Sequence, residues 1–423
     1  MRTSRAVTIA AAVSTVLLAY FAIAWAQVTP VRERGTDFSA SYVAALLLRS
    51  GDGAQLYDQQ VEHARHLTLL PAGTVINLPF ITPPTTALLA LPLTVLDPGT
   101  AFRVWSAIEL LLVALAAWLA IRAGPWPLQL GRAPRAATLL IAVAGGGTYA
   151  FLLLGQIDGV AALGLAAAYA AWRKERPALA GFWMALAFAS TKPHLAIGLG
   201  IWLIARRDWR ALAGAACGCA VAAAVSLGLV GPAGVAGFMS ALGFAIGNTP
   251  AASTLGMPGL VASWLGGGSA AVAIGITGSV VALAVCALLG IRSRGNPGAL
   301  EVSLAGATAL SLVASPHLLA HDLVIAAPVF AWCAARAAAS EVATWPGVVT
   351  IRVLGAWAIL AVFTLVDTGN AAAAPPGRLV PLALVGIGVA ALMIPASRTR
   401  AGNPARAVLA QSGSGSGAGG STA

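Results

Sequence analysis

The sequence predicts an all-α polytopic membrane protein of about twelve transmembrane helices, and three observations carry that prediction. Hydrophobic residues make up 59% of the 423 positions and charged residues only 9%, against roughly 45–50% and about 25% in soluble domains. The mean hydropathy is +0.85. Apolar runs of about 17 to 25 residues recur as far as the C-terminal region, each long enough as a helix to cross a hydrocarbon core of about 30 Å.

The runs fall at about 6–27, 101–122, 136–154, 157–172, 177–191, 193–206, 210–230, 268–291, 299–315, 319–338, 347–367 and 377–396. The first carries Arg2 and Arg5 ahead of its apolar stretch, as a signal sequence does. Ala24-Trp25-Ala26-Gln27 is a weak cleavage site and more spans follow, so the run reads as an uncleaved first helix. Pro83 to Leu96 is apolar but only about fourteen residues long, with prolines at 83, 84 and 92. It is too short to cross comfortably and reads as a re-entrant or surface-lying segment. Residues 1–400 thus form one integral membrane domain with a polar loop at 28–82, and 401–423 form a flexible cytoplasmic tail whose last residues are Gly, Ser, Ala and Thr.

The net charge of +11 does not point to nucleic acid, because the arginines are spread over short loops with no aromatic-interleaved basic stripe. With 83–96 not crossing, Arg2/Arg5, Arg122/Arg132/Arg135, Arg173/Lys174/Arg176, Arg206/Arg207/Arg210, Arg292/Arg294, Arg336 and Arg398/Arg400/Arg406 all fall on one side. That side is expected to be the cytoplasm, with both termini there. Cys217, Cys219, Cys286 and Cys333 lie inside apolar runs and read as small packing residues. Gly145-Gly146-Gly147 and Gly266-Gly267-Gly268 have no strand and helix around them and read as packing or turn glycines, not a phosphate loop.

The polar clusters that are not basic come out on the opposite, extracytoplasmic face: Asp37 with the 28–82 loop, Gln156 and Asp158, Lys192 with His194, the 231–267 loop, and His317 through His321-Asp322. Ionisable groups at membrane depth are costly and usually functional. Asp37 suits a general base whose affinity for a proton is raised near a low-dielectric surface, or else a helix N-cap before Phe38. Lys192 is one of two lysines against 23 arginines; it suits a phosphate head group, or else anchors a helix end. His317 and His321 are spaced i, i+4 and share a face if a helix continues through Pro316. No third ligand of similar quality is near them in sequence, so hydrogen bonding to phosphate or sugar, or a helix-end role, is expected rather than a metal. Gln156 and Asp158 offer hydrogen bonds to a ligand or to helix ends.

These pieces in this order resemble the polyprenyl-phosphate-sugar-dependent membrane glycosyltransferases of the C-type fold, and most closely glycosyltransferase family 87. The resemblance spans roughly residues 30 to 340. It is carried by Asp37-Phe38 with Tyr42, Ala45, Gly51 and Leu56-Tyr57-Asp58, then Pro83-Pro84 with Leu91-Pro92-Leu93, Gly155-Gln156, Lys192-Pro193, Ser315-Pro316-His317 and His321-Asp322-Leu323. It implies inverting transfer of a hexose, mannose by the family's precedent, from a polyprenyl-phosphate donor to a lipid or glycan acceptor hydroxyl outside the plasma membrane. Asp37, in the first extracytoplasmic loop, maps onto the family's base. Lys192, His317 and His321 map onto the groups that hold donor and acceptor, and Tyr42, Arg49, Tyr57, Gln156, Asp158, His194 and Asp322 are further binding candidates. An asparagine is expected in many relatives where this chain has Asp158. No cofactor or metal is assigned, since Lys192, a protonated histidine and arginines such as Arg49 can supply positive charge. A lipid or solute transporter, or a flippase, is the rival class, but such proteins keep coupling residues near the midplane and often carry paired repeats.

Overall fold

The computed structural model describes residues 2–69, 78–127, 130–145, 147–249, 251–339 and 375–393. Among them the chain is helical and contains no strand. The expected span at 347–367 and the tail lie outside the described residues.

The first helix, α1, is Arg2–Ala26. The polar segment after it holds α2 (Pro30–Glu33), α3 (Asp37–Arg49) and α4 (Gln59–Leu67), then α5 (Pro84–Ala90) running into a 3-10 turn at Leu91–Val95. There follow α6 (Pro98–Ala123), α7 (Arg132–Val143), α8 (Thr148–Leu154), α9 (Asp158–Arg173), α10 (Pro177–Ala189), a 3-10 turn at Pro193–Ala196 and α11 (Ile197–Arg206). Then come α12 (Trp209–Asn248), α13 (Met257–Leu265), α14 (Ser269–Arg292), α15 (Leu300–Ala314), a 3-10 turn at Ala320–Ala326, α16 (Ala327–Ala339) and α17 (Pro375–Met393).

Among the described residues six helices are long and apolar enough to cross a membrane on their own, and α7 with α8, bent by 53°, make a seventh if taken as one span. α10 and α11 are apolar but short for a path that takes about 20 helical residues. Ile9, Val16, Leu111, Leu227, Ile276 and Val280 are exposed on α1, α6, α12 and α14. In water such faces would be a large unpartnered apolar surface, whereas lipid covers them without cost. α15 is the reverse: every residue from Leu300 to Ala314 except Val302 is buried, as expected for a helix apolar all round at the centre of a bundle.

The described residues of the 28–82 segment do not form an open loop. Thr29 caps α2, Asp58 caps α4 by accepting from the amides of Gln60 and Val61, and α3 buries Phe38 to Ala45 and Leu47. Glu33 pairs with Arg103 of α6 at 2.6 Å, and Arg103 also donates to the Trp25 and Val28 carbonyls. This bolts the segment to the first two long helices. The 83–96 segment is a short helix and a 3-10 turn, and Thr85 and Thr86 donate to the Ser190 carbonyl at the end of α10.

The expected 231–267 loop is largely helical. α12 continues to Asn248 through a break at Gly231, whose φ of 64° suits glycine, and Pro232 restarts the helix. Cys217 and Cys219 are exposed on α12 rather than packed.

Candidate active site

A cavity of about 600 Å³ opens where the ends of several helices meet. α9 starts beside it at Asp158 and leaves toward Arg173; α10 returns to Thr191 and Lys192; α12 returns to Thr249; α15 returns to Pro316 and His317. The arginine-bearing turns therefore lie at the far ends of these same helices.

Asp37 is the first residue of α3 and lines this cavity. Thr36 holds the N-cap position, so Asp37 is not the cap; its carboxylate accepts instead from Nε2 of Gln156. Gln156 reaches it because Gly155, with φ of 63°, reverses the chain after α8. A Cβ on Gly155 would lie 2.7 Å from the Phe38 Cβ, so only glycine lets this turn approach α3. Trp105 fixes the turn by donating to the Gly155 carbonyl at 2.9 Å.

Lys192 sits between α10 and the following 3-10 turn. Its ammonium donates to Oε1 of Gln156 at 3.0 Å, lies 2.9 and 3.1 Å from the two oxygens of Asp158, and is 2.5 Å from Oδ1 of Asp322. The other oxygen of Asp322 accepts from the Leu319 amide at 2.7 Å, which shapes the turn before the 3-10 segment. An ammonium has three protons, and here side chains take all of them. Lys192 nonetheless lines the cavity.

Asp158, His321 and Asp322 each present a ligand atom, all within 4.8 Å of one another. Asp158 is the third group that sequence distance hid, yet the Lys192 ammonium already stands between the two carboxylates, where a cation would sit. His317 and His321 do not share an α-helical face. Ser315, preceding Pro316, is extended, as that position favours, and the next helical element begins only at Ala320. Both histidines still line the cavity, and the ring of His317 meets that of His194 edge to face at 6.1 Å.

Three binding candidates face elsewhere. Tyr42 donates to the Leu96 carbonyl, Arg49 to the Thr94 carbonyl and Tyr57 to the Thr82 carbonyl, all within 2.7–2.8 Å. They staple 82–96 to the α3 region. Tyr57 also backs the cavity wall, its ring 5.6 Å from Phe80 and 5.3 Å from Phe238.

Sequence reading missed Glu109 and Glu62. Glu109 of α6 accepts from the Gly159 amide at 2.9 Å, directly behind Asp158; its signal was an acid inside an apolar run. Glu62 of α4 accepts from the Phe80 amide at 2.5 Å and so holds a residue of the cavity wall. Its only signal was an acid in the first turn of a helix inside the polar segment. Burial raises the proton affinity of Asp37, and Lys192 and the Gln156 amide oppose that rise. Asp37 thus lines a mainly apolar cavity, with one oxygen held by Gln156 and its proton affinity raised.

The sequence model of glycosyltransferase family 87 matches residues 80–316, more than half of the chain. The chain belongs to glycosyltransferase family 87. No curated protein and no solved structure matches it. As a family 87 glycosyltransferase it is an enzyme that moves a sugar from a donor to an acceptor, which decides against the transporter reading. The matched region contains Gln156, Asp158, Lys192 and His194; Asp37 precedes it, and folding alone joins that residue to the others.

Proposed function

We propose that this family 87 enzyme transfers a hexose, mannose, from a polyprenyl-phosphate donor to a lipid or glycan hydroxyl, with inversion at the anomeric carbon. The single observation that carries the reading is the Asp37 carboxylate opening onto a cavity that already gathers Gln156, Lys192, His194, His317 and His321. Asp37 takes the proton of the acceptor hydroxyl as its oxygen attacks the anomeric carbon, and the polyprenyl phosphate leaves from the opposite face. The leaving group needs N–H donors more than it needs a strong acid. With the Lys192 protons engaged, His194 and His317 are assigned to it; Nε2 of His194 is buried without a hydrogen-bond partner.

The reading includes twelve spans in the C-type arrangement and a cavity on the extracytoplasmic face of the plasma membrane, with both termini in the cytoplasm. Its support is the separation of the cavity from the arginine-rich turns, which the positive-inside rule puts in the cytoplasm.

The test is transfer of radiolabelled mannose from polyprenyl-phosphate-mannose to a membrane lipid extract in liposomes. Wild type transfers label, and Asp37→Asn, which keeps the shape, loses a factor of about 10² to 10⁴ in rate. A folded Asp37→Asn variant of wild-type rate removes Asp37 as the base. Wild type that consumes other polyprenyl-phosphate sugars but not this one removes mannose.

A further inference from the structure

We infer that Gln156 and Lys192, which line the cavity, form a relay whose role is to position the base rather than to hold sugar or phosphate. The inference rests on the reading of Asp37 as the base. It starts from the asymmetry of the Gln156 amide, which can donate only from nitrogen and accept only at oxygen. On one side stands the Asp37 carboxylate, which only accepts; on the other stands the Lys192 ammonium, which only donates. The reverse orientation would put a carbonyl oxygen against a carboxylate and an NH₂ against an ammonium. The amide has one acceptable orientation and the ammonium enforces it.

The ammonium is itself immobilised. Asp158 and Asp322 hold it from α9 and from the 3-10 turn at Ala320–Ala326. Asp322 is fixed in turn by the Leu319 amide, and the start of α9 by Glu109 through the Gly159 amide. All of these side chains are buried while Asp37 is only partly so. The network therefore ends at Asp37, the carboxylate that among the described residues lines the cavity. Gln156 holds Oδ2, and among the described residues no other side chain bonds Asp37, so Oδ1 is left to accept the acceptor's proton.

The relay also opposes the effect of burial on the base. Lys192 and the Gln156 N–H both favour the ionised carboxylate against burial, while Asp322 acts against it. The other titratable groups around the cavity are Asp158 and the imidazoles of His194, His317 and His321. Removing either relay member makes Asp37 hold its proton to higher pH. A base must be ionised to act, so the acid limb of the rate profile moves upward.

Two measurements decide this on Gln156→Leu, which leaves the Lys192 ion cluster intact, and on Lys192→Met. The first needs no sugar. In lipid-reconstituted protein, the infrared carboxyl band absent from Asp37→Asn is followed against pH; it is expected to titrate about one pH unit higher in Gln156→Leu than in wild type. The second is kinetic: kcat falls by about tenfold to a hundredfold, with the donor KM within about twofold and the acid limb displaced upward. Lys192→Met, where folded, behaves alike, and Lys192→Ala regains rate with added ethylammonium. An Asp37 band that titrates as in wild type overturns the relay, as does a variant whose donor KM rises at unchanged kcat. If wild type accepts no polyprenyl-phosphate sugar, the donor assignment fails while the infrared titration still decides the relay.

Discussion

Glu62 points its carboxylate inward from α4 and accepts the Phe80 amide, and burial pushes its pKa up to about 8 although that hydrogen bond works the other way. The folded chain thus keeps a proton on Glu62 at a pH where the unfolded chain has released it. The contribution to stability is full in acid, declines as pH rises above the ordinary carboxylate range and is gone by about 8. Glu62→Gln keeps an accepting oxygen for Phe80 and removes the charge. Its melting temperature is expected to exceed that of wild type above about pH 8, with the gap closing toward acid; parallel curves for the two proteins would refute the assignment. Lys192 and Asp37 are opposite lessons at this scale. The scarcity of lysine marked Lys192 as special, but its partners, two carboxylates and an amide, belong to distant parts of the chain. Asp37 carried an N-cap reading and a base reading, and the first falls because Thr36 holds the cap position.

At the scale of elements, the helices around the cavity approach closely because small residues line their contacts. α10 packs against both α9 and α12. A Cβ on Gly181 would fall on the backbone carbonyl of Ala211, and one on Gly214 on that of Ala178. Apolar side chains gain little from burial when lipid is the alternative, so close backbone approach matters more here than in water. Gly181→Val is expected to force α10 and α12 apart at a cost of about 1–3 kcal/mol. Thermal unfolding in detergent should show the loss, and a variant of unchanged melting temperature would mean that the helices yield there. α10 ends at Ser190 beside Lys192, so the same variant is expected to lower the rate of transfer. The break in α12 belongs to the same scale: Gly231-Pro232 was visible as a local interruption, but the continuation to Asn248 gives the cavity a helical wall with Phe238 in it.

For the whole molecule, cavity and arginine turns lie at opposite ends of the bundle, and the proposed orientation puts the cavity outside the cell. In a cysteine-free background, Gln59→Cys on α4 and Glu175→Cys between α9 and α10 introduce thiols at exposed positions. A membrane-impermeant maleimide is expected to label the first in intact cells and the second only after permeabilisation. The reverse pattern would invert the protein in the membrane and with it the side of the reaction.

The sequence by itself determined that this is a helical membrane protein, roughly where its helices run, and which ionisable residues stand out. These follow from local quantities, namely the length of apolar runs, glycine and proline breaks and the rarity of charge. Tertiary structure decided what those residues touch. It turned Tyr42 and Arg49 toward backbone carbonyls, broke the helical pairing of His317 with His321 at Pro316, and enclosed the Lys192 ammonium between Asp158 and Asp322. Hydrogen bonds and ion pairs act over about 3 Å, and residues as far apart in the chain as Asp37, Gln156, Lys192 and Asp322 come within that range only when the bundle has closed.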